Sequence, residues 1–273
     1  MDATKPLLPV ASELLALLRV GLVGATSSRR HLRAERPERR HCPVRQIDPL
    51  LRYDLRVVPA VEDSQRPVRF IEFAAVFIAL PCLFVSRKLP VPLMPGLWGL
   101  TGICLIALLL NPDFDRRRLW NTDRLASRAL KALLPVIIAA PLLLAATIWL
   151  APDRLFGFVR SRPLLWLAVI LLYPVLSAYP QGIVYRAFVF HRYRDVFRSP
   201  AGRILASAVA FGVAHVVLHN WSAPTFAFAG GLLFAWTYES TQSSLVASLQ
   251  HAAFGCLLFT LGLGWYFYYG SVG

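Results

Sequence analysis

Four long stretches of the chain contain no Lys, Arg, Asp or Glu: Ala132–Pro152, Pro163–Tyr185, Ile204–Tyr238 and Ser240–Gly273. Crossing the hydrocarbon core of a bilayer takes roughly 20 apolar residues in a helix, and these stretches are that long. Together with two earlier apolar runs they predict seven spans, at about 69–86, 91–110, 130–151, 163–192, 202–219, 222–239 and 243–264. The expected fold is all-α, a polytopic membrane helix bundle of about seven spans. Residues 1–68 are a polar, Arg-rich segment, and 69–273 are the membrane domain.

The fourth span is unusual. From Pro163 to Tyr193 it makes a helix of roughly 45 Å, longer than the bilayer core, and it contains Pro174 and Pro180. Proline removes a backbone donor and disfavours helix in the residue before it. The pattern therefore predicts a break or restart at Tyr179–Pro180, with a cavity where the freed backbone begins at Gln181.

Composition supports the membrane assignment: 56% of residues are hydrophobic, against 45–50% in soluble domains. A net charge of +14 invites a nucleic-acid reading, but no basic patch interleaved with aromatics accompanies it. All 29 Lys and Arg lie at or before Arg203, in the amino-terminal segment and in loops. The loop 112–131 carries Arg116, Arg117, Arg118, Arg124, Arg128 and Lys131, and the stretch 192–203 carries Arg192, Arg194, Arg198 and Arg203. The positive-inside rule then sets the amino terminus in the cytoplasm and the carboxy terminus outside. The expected location is a cell membrane, with a bacterial inner membrane as its setting and the lipid bilayer as partner. Met1–Gly24 lacks a clean cleavage site for a signal peptide. Ser12–Val23 reads as a short amphipathic helix on the membrane surface, and Arg29–Arg45 as disordered. Cys42, Cys82, Cys104 and Cys256 have no metal or redox spacing. The aromatic run Trp265–Tyr269 reads as an interfacial belt.

Ionisable residues inside spans are costly and point to function. Here they are Glu72, Arg186, His215, His219, Glu239 and His251, accompanied by Gln181, Asn220 and Gln250. His215 and His219 are four residues apart, which on an α-helix puts them on one face with Phe211. A short turn between the sixth and seventh spans brings His251 alongside the fifth. Three imidazoles then converge, able to act in acid–base chemistry or to hold a metal, with zinc the candidate. Arg186 keeps its charge and needs an acceptor; pairing with a carboxylate or capping carbonyls in the bundle is its structural role.

Three motifs made of these residues resemble a known family. Gln181-Gly182-Ile183-Val184-Tyr185-Arg186, Phe211-Gly212-Val213-Ala214-His215 and His251-Ala252-Ala253-Phe254-Gly255 are similar to the three motifs of the CPBP (Abi) intramembrane proteases, which are related to the type 2 CAAX prenyl protease. The family pattern is Glu-Glu-x-x-x-Arg, Phe-x-x-x-His and His-x-x-x-Asn, and the resemblance covers about 163–265. It implies an all-helical membrane bundle with a CAAX-protease-like core that cleaves a hydrophobic or lipidated peptide. By the same resemblance, His215 orients or deprotonates a water, His251 donates to the oxyanion, and Arg186 holds the first-motif helix. Gln181 and Gly182 stand where the family has its glutamate pair, and Gly255 where it has asparagine. Losing a general base typically costs on the order of 10²–10⁴ in rate, and losing an oxyanion donor about 10²–10³. Three substitutes are conceivable: Glu239 or Glu72 swinging in, a metal on His215, His219 and His251, or the amide of Asn220. Two readings stay open, an intramembrane endopeptidase with a degenerate first motif and a catalytically silent homologue that binds a hydrophobic or lipidated peptide. A transporter ranks last, because the chain shows none of the internal repeats usual there.

Overall fold

A computed structural model describes residues 65–87 and 93–267. The readings made for Ser12–Val23, Arg29–Arg45, Cys42 and Tyr268–Tyr269 lie outside the described residues. Contacts divide the chain into Met1–Pro67 and Val68–Gly273. Among the described residues every regular element is helical, as the uncharged stretches require: in lipid, a helix satisfies its own backbone.

Seven helices carry the architecture. α1 runs Arg66–Ala74, passes through a π turn at Ala75–Ala79, and continues as Leu80–Arg87. α2 is Leu93–Leu110, and α3 is Leu125–Leu150 with Pro135 and Pro141 inside it. α4 covers Pro163–Arg192. α5 is Pro200–Ala214, α6 is Ser222–Thr241 and α7 is Ser244–Leu261. Short helical turns at Arg117–Trp120, Gly157–Ser161, His215–Leu218 and Leu263–Phe267 join or extend them. The caps are local. The Ser199 hydroxyl accepts from the Gly202 N–H at 3.0 Å, ahead of Pro200 at the first helical position, and Ser243 caps α7 through the Val246 N–H at 3.3 Å. Both are the side-chain oxygens that satisfy orphan donors at a helix start.

Among the described residues, six of these seven are long and apolar enough to cross a membrane, α5 together with the turn His215–Leu218. α6 is not among them. Its 20 residues, SAPTFAFAGGLLFAWTYEST, include six hydroxyl side chains and a glutamate, so it is helical without being strongly apolar. It packs closely on α5 through small residues: a Cβ added at Gly231 would stand 3.1 Å from the Ala208 Cα. Such close approach is how helices associate where water supplies no driving force. Large apolar side chains such as Leu134, Ile137, Leu142, Leu164 and Leu171 are exposed on the outer faces, as acyl-chain neighbours require. The interior is aromatic, with Phe73, Phe77, Tyr185, Phe188 and Tyr193 buried together.

α4 corrects the expectation of a break at Tyr179–Pro180. The helix is continuous and switches hydrogen-bond register instead. It is α-helical over Pro163–Tyr173, π over Pro174–Ala178, α over Tyr179–Gly182, π over Ile183–Phe188 and α over Val189–Arg192. The first wider turn starts at Pro174 and Pro180 lies in the short α stretch between the two, with the chain in the helical region at each junction. Pro180 has no N–H for the carbonyl four residues back, that of Leu176. The Trp98 indole of α2 takes that bond, donating to the Leu176 carbonyl at 3.1 Å.

Candidate active site

The second π turn carries Arg186, whose side chain is only 1% exposed. Its guanidinium carbon lies 4.3 Å from the Phe211 ring centroid and 5.3 Å from that of Phe234. The negative faces of aromatic rings attract a cation, so two rings take the place of a counter-charge. One Nη1 bond, long at 3.5 Å, goes to the Gln181 carbonyl. Nε and Nη2 are buried with no hydrogen-bond partner among the described residues. No carboxylate bonds to Arg186 there, so of the two structural roles expected for it the carbonyl contact is the one formed. The two acids nearest in prospect are held elsewhere. Glu72 accepts from Arg192 at 3.1 and 2.7 Å and from the Tyr193 hydroxyl at 3.0 Å. Glu239 accepts from Arg203 at 2.7 Å. Neither is free to act as a substitute base.

Phe211 is the hub of the site. Its ring centroid lies 4.7 Å from that of His215 and 5.2 Å from that of His251, edge-on to both. Phe234 stacks on His251 at 4.8 Å. Arg186 from α4, His215 from the end of α5 and His251 from α7 are thus gathered around one benzyl ring. The α-helical part of α5 stops at Ala214, and His215–Leu218 is a 3-10 turn. His215 Nδ1 lies 2.7 Å from the Phe211 carbonyl oxygen. A carbonyl only accepts, so Nδ1 carries the proton and Nε2 is left with a lone pair. His215 is half-buried and His251 is buried.

His219 does not join them. Three residues per turn in the 3-10 segment rotate it off the face that an α-helix would share, and it adopts a left-handed backbone with φ of 54° and an exposed side chain. Among the described residues no group of three His, Cys, Asp or Glu side chains is placed to hold a metal. The trio His215, His219 and His251 expected from the α-helical spacing is therefore not formed. Gln181 lies five residues before Arg186 but turns its amide along the helix, donating to Ser177 Oγ at 2.7 Å. Asn220 is a structural tie. It donates to the Tyr266 carbonyl at 2.9 Å and accepts from the Ala223 N–H at 2.8 Å. Gln250 spans Thr237 and the Ala132 carbonyl at 2.8 and 2.6 Å.

The two glycines are filled from outside. A side chain at Gly255 would run into the Tyr173 ring, its Cβ 2.7 Å from both Cζ and Oη. The Tyr173 hydroxyl is hydrogen-bonded to His251 Nε2 at 2.9 Å, and the ring packs edge-on against Phe259. A phenol from α4 thus occupies the room beside His251 that the missing side chain vacates. Sequence reasoning overlooked Tyr173. Gly255 was the only signal, since a glycine one turn after His251 implies a gap but does not name the filler. Gly182 packs against α7 in the same way. A Cβ there would overlap Ser248 Oγ and stand 3.5 Å from Ser248 Cβ. The hydroxyls of Ser244 and Ser248 are buried without hydrogen bonds among the described residues.

This arrangement lies within a segment that is recognisable by comparison. Residues 163–257 match the family model described as type II CAAX prenyl endopeptidase, Rce1-like. No curated protein and no solved structure matches the chain. The matched segment begins with α4 and ends within α7, and it contains Tyr173, Gln181, Arg186, His215 and His251. By that match, residues 163–257 of this polytopic membrane protein form a CAAX-protease-like domain of the CPBP family.

Proposed function

We propose that the chain is an intramembrane endopeptidase that hydrolyses a peptide bond in a hydrophobic or lipidated substrate, using His215 as its base. The observation that carries this reading is the fixed tautomer of His215. Its Nδ1–H is anchored on the Phe211 carbonyl at 2.7 Å, so Nε2 is an available acceptor beside the cluster of Arg186 and His251. A neutral imidazole is a competent base near pH 7 and replaces the absent carboxylate pair. In the reaction His215 Nε2 takes a proton from water, and the hydroxide oxygen bonds to the scissile carbonyl carbon. The carbonyl π pair moves onto oxygen as an oxyanion. When the tetrahedral intermediate collapses, the C–N bond breaks and the departing amine takes the proton back from His215; the carboxylic acid so formed then gives its own proton to the amine, leaving a carboxylate and an ammonium. The buried charge of Arg186 biases the site toward negative charge on the reacting oxygen. The setting is a cell membrane, with the amino terminus in the cytoplasm and the site reached by substrate from the bilayer or its surface.

A second reading, a silent homologue that binds such a peptide without cutting it, is favoured by one observation. The Ser248 hydroxyl lies where a side chain at residue 182 would start, and among the described residues no carboxylate bonds to the cluster. One experiment separates the two. The purified protein in detergent or nanodiscs is incubated with a library of membrane and prenylated peptides, and products are read by mass spectrometry. Bound zinc is measured on the same preparation. The protease reading expects wild-type cleavage that His215→Ala lowers by about 10²–10⁴, with unchanged thermal unfolding. Peptide binding without cleavage establishes the silent homologue. Equal cleavage by wild type and His215→Ala removes His215 as the base. A restored carboxylate is tested with Gly182→Glu, which requires only that the Ser248 hydroxyl rotate away, its Cβ already standing 3.5 Å off.

A further inference from the structure

We infer that the Tyr173 hydroxyl is the hydrogen-bond donor to the oxyanion in this site, with His251 acting behind it. The inference rests on the protease reading. Four observations carry it. The hydroxyl lies 2.9 Å from His251 Nε2. The ring fills the space over Gly255, one helical turn beyond His251 on α7. Tyr173 sits on α4, two turns and more before Gln181, so it enters the site from the same helix as Arg186 yet from its other end. Lastly, among the described residues His251 Nδ1 makes no hydrogen bond of ordinary geometry, the Ala178 carbonyl being its backbone neighbour.

A carbonyl contact too poorly aligned to hold the proton on Nδ1 leaves the Nε2–H tautomer within reach, and a developing oxyanion beside Tyr173 favours it. With the proton on Nε2, the ring donates to the Tyr173 oxygen and the phenol proton is directed onward. A carbonyl oxygen that gains negative charge then takes the hydrogen bond from Tyr173 rather than from the ring. No bond to hydrogen has to break: His251 Nε2–H donates to Tyr173 Oη, and Tyr173 O–H donates to the oxyanion. Chained donors polarise one another, so the imidazole strengthens the phenol as a donor. His251 is then a positioning residue, and Tyr173 is the group that meets the reacting oxygen. Asn220 and Gln250, the other polar candidates, are spent on backbone and side-chain partners.

The test uses the full chain in nanodiscs with the peptide that the wild type cleaves best. Tyr173→Phe keeps the ring over Gly255 and removes only the hydroxyl. The expected result is a fall in kcat of about 10²–10³ with KM within threefold and unfolding temperature unchanged. A second variant, Tyr173→Ala with Gly255→Asn, empties the space and returns an amide to α7; it is expected to recover at least tenfold of the lost kcat, whereas Tyr173→Ala alone does not. Retention of kcat within about threefold in Tyr173→Phe overturns the inference and leaves the protease reading intact. So does a loss confined to KM or to stability. Absence of wild-type cleavage overturns the protease reading itself, and the inference falls with it.

Discussion

Replacing Gly255 with alanine puts the packing of the site on a numerical footing. In a helix interior alanine is favoured over glycine by about 1 kcal/mol, so a bland helical glycine gains stability from the change. Gly99 on α2 is such a position, with nothing within 4 Å of an added Cβ, and Gly99→Ala is expected to stabilise by roughly 0.5–1 kcal/mol. At Gly255 the same methyl would stand 2.7 Å from Cζ and Oη of Tyr173, a rigid ring wedged between His251 and Phe259. Overpacking of this kind costs about 1–3 kcal/mol, and displacing the phenol forfeits its bond to His251, worth about 1 kcal/mol. Set against the helical gain, Gly255→Ala should lose roughly 1–3 kcal/mol net. For a domain of this size each kcal/mol moves Tm by about 2–4 °C, so the two variants should shift in opposite directions by a few degrees. Thermal unfolding in one detergent, followed by circular dichroism, reads both. If Gly255→Ala stabilises as much as Gly99→Ala, Tyr173 does not occupy the space beside His251, and the assignment of that phenol to the site is refuted.

The remaining expectations concern the frame around the site. Glu72→Gln should cost roughly 2–3 kcal/mol by unpairing the half-buried Arg192 and the Tyr193 hydroxyl; cleavage assayed well below Tm should stay within twofold, because Glu72 is no part of the chemistry. Trp98→Phe strands the Leu176 carbonyl and should cost about 1–3 kcal/mol, and the same change in a Pro180→Ala background should cost less, since alanine restores a backbone donor; a double-mutant cycle of unfolding free energies checks this. His219→Ala should leave cleavage within twofold while His215→Ala abolishes it, because the 3-10 turn separates the two rings; comparable losses from both would contradict that geometry.

The uncharged runs made the helices legible, since length and apolarity alone require them. His215, His251 and Arg186 were legible as expensive polar groups in three separate apolar stretches, and their meeting around Phe211 follows from short turns between neighbouring helices. Other features depended on quantities that no spacing encodes. The end of the α-helix at Ala214 turned His219 away, although a four-residue interval on an unbroken helix would have paired it with His215. α4 stays whole across Pro180, in the short α stretch between its two π turns, where the missing donor alone argued for a break. Tyr173 and His251 are separated by 78 positions, and which aromatic fills a glycine's gap depends on how two helices are rotated against each other. The proton on His215 Nδ1 follows from one backbone carbonyl whose position only the fold determines.

α6 has a consequence for how the protein is made. A segment with six hydroxyl side chains and only moderate apolarity partitions weakly into lipid when it leaves the translocon alone. Its small residues fit against Ala208 and its neighbours on the preceding helix. Membrane integration should therefore proceed in pairs, with the chain from Pro200 to Thr241 entering as a helical hairpin, and the half of the protein that holds both imidazoles maturing late in biogenesis.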